Sequence, residues 1–223
     1  MPKNRWSWRK RGLPISEIQS ELDQAQHNNL NYERDSVLGF PGTTPLPGVL
    51  EVHRFFTGSH ANNIGHHTQK EPSEFGFLET QRLEREFIYT LANLLGASDP
   101  EQDIDGYICM GGTEGNDHGL WIGRNLLRRT SSDSKGTIVL TSFLAHYSIE
   151  KHFERLFSET DVLQELPTNS SGELNAEIVV TAIRRFHSVG HRKFLLALTV
   201  GTTNLGSVDK IKEICDAVTE LKS

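Results

Sequence analysis

The chain has 223 residues, 36% apolar and 23% charged, a balance that suits one large domain with a small appendage and excludes a disordered composition. A net charge of −6 gives a nucleic-acid partner no global electrostatic support, and no apolar run approaches the roughly 18–20 residues of a membrane span. Cys109 and Cys215, with no CxxC spacing, exclude a disulfide framework and fit reduced thiols in a cytoplasmic protein.

The start, Met1 to Arg11, interleaves Lys3, Arg5, Arg9, Lys10 and Arg11 with Trp6 and Trp8, and no apolar h-region follows it. It reads as a solvated or partner-packed tail. Ile15, Ile18 and Leu22 fall at helical intervals, which predicts a short amphipathic helix over 16–28 with Ser16 as its N-cap. Glycines and prolines between Leu38 and Val49 predict an extended loop. The segment Phe55 to His67 is dense in polar side chains and reads as a substrate-facing loop, with His60 and Asn63 as candidate substrate contacts. Its imidazoles lack a flanking cysteine or carboxylate cluster, so no metal site is expected.

From Phe77 to Leu95, the residues Leu83, Phe87, Ile88, Leu91, Leu94 and Leu95 form one apolar stripe, predicting a long packing helix closed by Gly96. Beyond it strands are predicted at 106–110, 137–142, 161–166 and 193–200, alternating with helices at 114–129, 147–158, 175–187 and 208–221. This alternation implies an α/β fold, a mostly parallel sheet with helices on both faces. Residues 1–76 form the arm, helix and loop, and 77–223 the α/β domain. Ligands in such folds collect beyond the carboxyl ends of the strands. Gly111 to Thr113, Phe143 to His146 and Gly201 to Thr203 all fall at such ends.

Gly111-Gly112-Thr113-Glu114-Gly115-Asn116 reads as a glycine turn opening a helix. Without Cβ atoms the backbone can approach a ligand, and the first helical N–H groups and the Thr113 hydroxyl can hold an anion. The same residues also suit a tight turn that holds nothing. Glu114 would oppose a nearby phosphate and is expected to point away. No Gly-Lys-Ser/Thr follows, and G-x-G-x-x-G spacing is lacking, which argues against a nucleotide P-loop and a dinucleotide site.

These six residues with Arg124, then His146-Tyr147-Ser148, then Val200-Gly201-Thr202-Thr203 and Gly206-Ser207-Val208-Asp209, together resemble the group II pyridoxal-phosphate-dependent amino-acid decarboxylases, especially the histidine and serine decarboxylase branch. The resemblance implies the type I, aspartate aminotransferase-like fold and pyridoxal 5'-phosphate as cofactor. It also implies cofactor contacts from Gly112, Thr113 and Asn116, a ring-stacking His146, and Thr203 beside the ring, with Thr202 less favoured. His146 and Thr203 are thus the candidate catalytic residues. The implied reaction converts an L-amino acid to its amine and carbon dioxide, in a cytoplasmic homodimer. In the family, the aspartate paired with the pyridine nitrogen and the lysine that carries the cofactor come later than the threonine motif. None of the nine lysines here stands in that context, so the chain is expected to be the front portion of such an enzyme, inactive alone. Another pyridoxal-phosphate carbon–carbon lyase, an aminotransferase, or a non-catalytic binding remnant are the alternatives.

Overall fold

The computed structural model describes residues 12–31, 34–36, 46–58, 78–130 and 135–221. The chain divides into two compact units, 1–83 and 84–223. The basic arm, His60 and Asn63 lie outside the described residues.

In the first unit, α1 (Ile15–Asn28) forms where the apolar spacing predicts it. Its cap is Pro14 rather than Ser16, because the Pro14 carbonyl accepts from the N–H groups of Glu17 and Ile18 and so starts the helix before Ser16. A second helix, α2 (Val49–Thr57), takes residues 55–57 out of the expected loop. Leu50, Val52 and Phe55 carry too much side chain for a polar turn, and the Thr57 hydroxyl bonds back to the His53 carbonyl.

Helix α3 (Leu78–Leu94) ends at Gly96, whose φ of +95° is a left-handed cap that glycine adopts without strain. Its expected packing stripe is not buried: Leu83, Phe87, Leu91, Leu94 and Leu95 are exposed, while Glu84 and Ala92 are buried. Phe87, Ile88, Leu91 and Leu95 instead line an open apolar cavity of about 510 Å³ with Ile104, Tyr107 and Ile108. The short α4 (Pro100–Asp103) precedes this stretch. No strand forms over 106–110, since its backbone donors are spent on carboxylates: Ile108 N donates to Glu84 Oε1 at 2.6 Å and Met110 N to Glu114 Oε2 at 2.8 Å.

The remainder alternates: α5 (Gly112–Thr130), β1 (Ile138–Ser142), α6 (Ser148–Leu156), β2 (Val162–Leu166), α7 (Ala176–Ser188), β3 (Phe194–Ala197) and α8 (Ile211–Glu220). The three strands form one parallel sheet in the order β2-β1-β3, with Ile138 opposite Val162 on one side and Phe194 on the other. All five residues of β1 are buried, as expected of a central strand covered on both faces. Ile138 and Leu140 pack with Val179, Ala182 and Ile183 of α7 and Ile214 of α8. On the other face α5 approaches so closely that a Cβ on Gly123 would meet Leu195 at 2.5 Å. Helices therefore cover both faces, as the alternation predicts.

Two elements are shorter than their apolar pattern implies. β3 stops at Ala197 and α8 starts only at Ile211 because Asp209, 4% exposed, accepts from Thr199 N at 2.7 Å and Leu174 N at 2.8 Å. Asn175 caps α7 through Ile178 N at 3.0 Å.

At the opposite end of the sheet, Asp161 ties the entrances of β1 and β2 by accepting from Thr137 N and Ser158 N at 2.6 and 2.8 Å. Burial opposes its charged form, but those donors, the Ser158 hydroxyl and the nearby Arg128 outweigh burial and hold the carboxyl below its ordinary value. A lowered carboxyl stabilises the fold above its unfolded value of about 3.9, and that stability is lost as pH falls through the lower folded value. Asp161→Asn should therefore cost about 1 kcal/mol near pH 7, allowing for solvent screening. Urea unfolding should show the gap to wild type closing below about pH 4. A gap independent of pH would contradict this account.

Candidate functional site

β1 and β3 are adjacent and parallel, so the segments leaving them, Phe143–His146 and Val200–Thr203, emerge at one end of the sheet. The Thr141 hydroxyl bonds to the Ala197 carbonyl at 2.9 Å and pins the two exits together. The start of α5 reaches the same end, because Asn116 Nδ2 donates to Ser148 Oγ at 2.8 Å, and Ser148 opens α6 directly after His146.

At that start Gly111 has φ +153°, a region L side chains rarely adopt, and a Cβ on Gly111 or Gly112 would meet nothing within 4 Å. Gly115 N bonds back to the Gly111 carbonyl, whereas the N–H groups of Gly112, Thr113 and Glu114 have no acceptor among the described residues. This is the free donor set of a helix N-terminus, suited to an anion. Glu114 turns its carboxylate back, accepting from Met110 N and, at 3.0 Å, from the Tyr107 hydroxyl, in the manner of a capping box. Burial and the adjacent Glu114 raise the Tyr107 phenol above its ordinary value, so it stays a proton donor.

His146 is exposed, with its ring 4.3 Å from that of Tyr147. Its Nδ1 accepts from Ser148 N at 3.2 Å and lies 2.8 Å from Ser148 Oγ. Thr202 is buried and bonds to Ser207 Oγ at 2.8 Å, while Ser207 Oγ donates to the Gly172 carbonyl. Thr203, next along, is exposed. One threonine thus holds the turn, and the side chain of the other is not used by it.

Behind the site α5 and α6 are clamped by charge. Arg155 bonds to Asp117 and holds that carboxyl below its ordinary value, and Arg124 donates to the Leu156 carbonyl. His152 Nδ1 lies 2.9 Å from Asp117 Oδ1, yet neither ring nitrogen of this buried histidine makes an aligned hydrogen bond. No group of three or more His, Cys, Asp or Glu side chains among the described residues is placed to hold a metal. Among them, too, no helix is long and apolar enough to cross a membrane.

Ser148 and Asp209 are the neighbours of the candidate site that residue-by-residue reading left without a role. Both stand inside quoted motifs, but nothing in their spacing reveals which backbone groups they bind.

No family model matches the chain. It is 29% identical over 213 residues to the tryptophan decarboxylase of Clostridium sporogenes, covering 91% of this chain and 49% of that protein. It is 27% identical over 207 residues to the L-aspartate decarboxylase of Thermococcus kodakarensis, covering 93% and 47% respectively. Its relatives are amino-acid decarboxylases. The likeness to that group drawn from the motifs is borne out. So is the expected fold: the structure of Oryza sativa TDC with PLP and tryptamine superposes with a TM-score of 0.74 at 16% identity, over 98% of this chain and 45% of that one. The chain spans about half the length of the decarboxylases it matches.

Proposed function

We propose that the chain belongs to a pyridoxal 5'-phosphate-dependent carboxy-lyase that converts an L-amino acid to its amine and carbon dioxide, and that residues 77–223 form the front part of its cofactor-binding domain. The observation that carries this reading is the meeting of three features at one sheet end: the free N–H groups at Gly112 and Thr113, the tethered His146, and the exposed Thr203. The fit is to the phosphate end and one face of the cofactor. Bound there, pyridoxal 5'-phosphate supplies the electron sink that accepts the pair left behind when carbon dioxide departs.

The chain's own residues bind and orient. Gly112 N–H, Thr113 N–H and the Thr113 hydroxyl hold the phosphate, helped by the positive end of the α5 dipole. Asn116, in the next turn of α5, supports that loop through Ser148. His146 lays its ring against the cofactor and presents Nε2–H to a carboxylate or to developing negative charge. Thr203 closes the ring's flank from the β3 exit. Fixing these groups before substrate arrives is what lowers the barrier, because no reorganisation is then needed at the moment of bond cleavage. The whole protein acts as a cytoplasmic homodimer on an amino acid, with tryptophan and aspartate, the substrates named for its relatives, as first trials.

Titrating the chain with pyridoxal 5'-phosphate while following the Gly112 and Thr113 amide resonances tests the binding half. Thr113→Val should weaken binding about tenfold, the worth of one hydrogen bond to a charged phosphate. Equal binding by wild type and variant, with neither amide shifting, would remove the cradle. Carbon dioxide release from L-amino acids, measured with the longest chain its gene encodes, tests the reaction. Its absence across aromatic, acidic and diamino substrates would end the decarboxylase reading.

A further inference from the structure

Ser148 is completely buried at the first turn of α6, yet its hydroxyl is not spent on the helix. Asn116 Nδ2 donates to Ser148 Oγ at 2.8 Å, so the oxygen serves as an acceptor on that side. Its own hydrogen is left for His146 Nδ1, also at 2.8 Å. The Ser148 backbone N–H points at the same ring nitrogen from 3.2 Å. A backbone N–H can only donate, so Nδ1 must be the bare, accepting nitrogen, and the ring proton of the neutral imidazole must sit on Nε2.

We propose that Ser148 is a positioning residue, the middle of an Asn116–Ser148–His146 relay that fixes the tautomer and plane of His146. The inference deepens the decarboxylase reading and rests on it for its purpose. The relay joins the two halves of the site. Asn116 stands one turn beyond the anion cradle of α5, and His146 stands at the exit of β1, with no covalent path between them shorter than the loop and strand. A serine is suited to this place because one hydroxyl can accept from an amide and donate to an imidazole at once. Alanine would leave the Asn116 amide without this partner and His146 Nδ1 with the Ser148 backbone N–H alone, and valine would add a methyl where the donor belongs. With Nδ1 saturated, the histidine can offer the site only an Nε2–H donor and cannot present a bare nitrogen there. The direction of hydrogen bonding to a substrate carboxylate is therefore set before any ligand binds.

The test is two-bond 1H–15N correlation of the 223-residue chain labelled with 15N-histidine, with His146 assigned by its loss in His146→Gln. The wild type should show one tautomer with an unprotonated, hydrogen-bonded Nδ1. Ser148→Ala should lower the ratio of Nε2–H to Nδ1–H forms roughly fivefold to tenfold, the equilibrium worth of one hydrogen bond. Ser148→Thr, which retains the hydroxyl, should restore it. The other histidine resonances report whether each variant is folded. If Ser148→Ala does not fold, Asn116→Ala is read by the same criterion, since freeing the hydroxyl lets it turn from the ring. A proton on Nδ1 in the wild type overturns the relay, as does a folded variant whose His146 signals coincide with those of wild type. No cofactor is added, so failure here leaves the decarboxylase proposal standing, and a chain that binds no pyridoxal 5'-phosphate can still carry the relay.

Discussion

Gly136→Ala should destabilise the α/β unit by about 3 kcal/mol, at the upper end of what an overpacked position costs. Gly136 is buried at the entrance to β1, and an added Cβ would stand 1.7 Å from the Thr160 carbonyl oxygen and 2.7 Å from Asp161 N. Both are backbone atoms, so no rotamer change relieves the clash. Relief requires separating the entrance of β1 from the turn that feeds β2, which would break Val162 N to the Thr137 carbonyl at 2.9 Å and Thr137 N to Asp161. Gly123→Ala is the informative contrast, because there the obstacle is the tip of the Leu195 side chain, which can rotate. Gly119→Ala, with nothing within 4 Å, should be neutral or stabilising by up to about 1 kcal/mol from helix propensity. Urea midpoints for the three variants give the ranking directly. A Gly136→Ala protein as stable as wild type would mean that the two strand entrances are not packed as described.

Asp209→Ala should cost about 3 to 5 kcal/mol, because two backbone N–H groups lose a charged acceptor in a buried setting. Among the described residues, the carboxylate is the only acceptor for Leu174 N and Thr199 N. It joins the loop before α7 to the exit of β3. The turn it anchors continues through Thr202 and Ser207 to the Gly172 carbonyl, so loosening it should also free Thr203. Asp209→Asn keeps one accepting oxygen but turns an amide N–H₂ toward a backbone donor, and should fall between alanine and wild type. Hydrogen exchange at the Leu174 and Thr199 amides, beside urea unfolding, checks the cause as well as the size. Unchanged protection at both amides in Asp209→Ala would refute it.

Much of this protein is legible from its chain because local rules and tertiary packing agree. Residues 138–142 are an uninterrupted run of buried residues, the pattern of a strand enclosed on both faces, and helices at 148–156 and 176–188 follow from their apolar spacing. The glycine turn before α5 stood out as a candidate anion cradle from its residue types, whereas the histidine after β1 became a candidate only through the resemblance that the three motifs carry together.

Where a predicted strand or helix of the α/β unit came out absent or short, a carboxylate had taken over a backbone group. Glu84 and Glu114 consume the donors that would have made 106–110 a strand, and Asp209 cuts both β3 and α8 short. Ser148 acquires its meaning only when Asn116, 32 positions earlier, is folded against it. Periodicity records what a residue prefers within its own turn or strand, and it carries no record of which distant carboxylate or hydroxyl will compete for the same N–H. The amino-acid order by itself therefore determined the α/β layers and the residue types at the sheet end, whereas the tertiary structure alone decided which of them touch, since hydrogen bonds across such separations exist only after the core has closed.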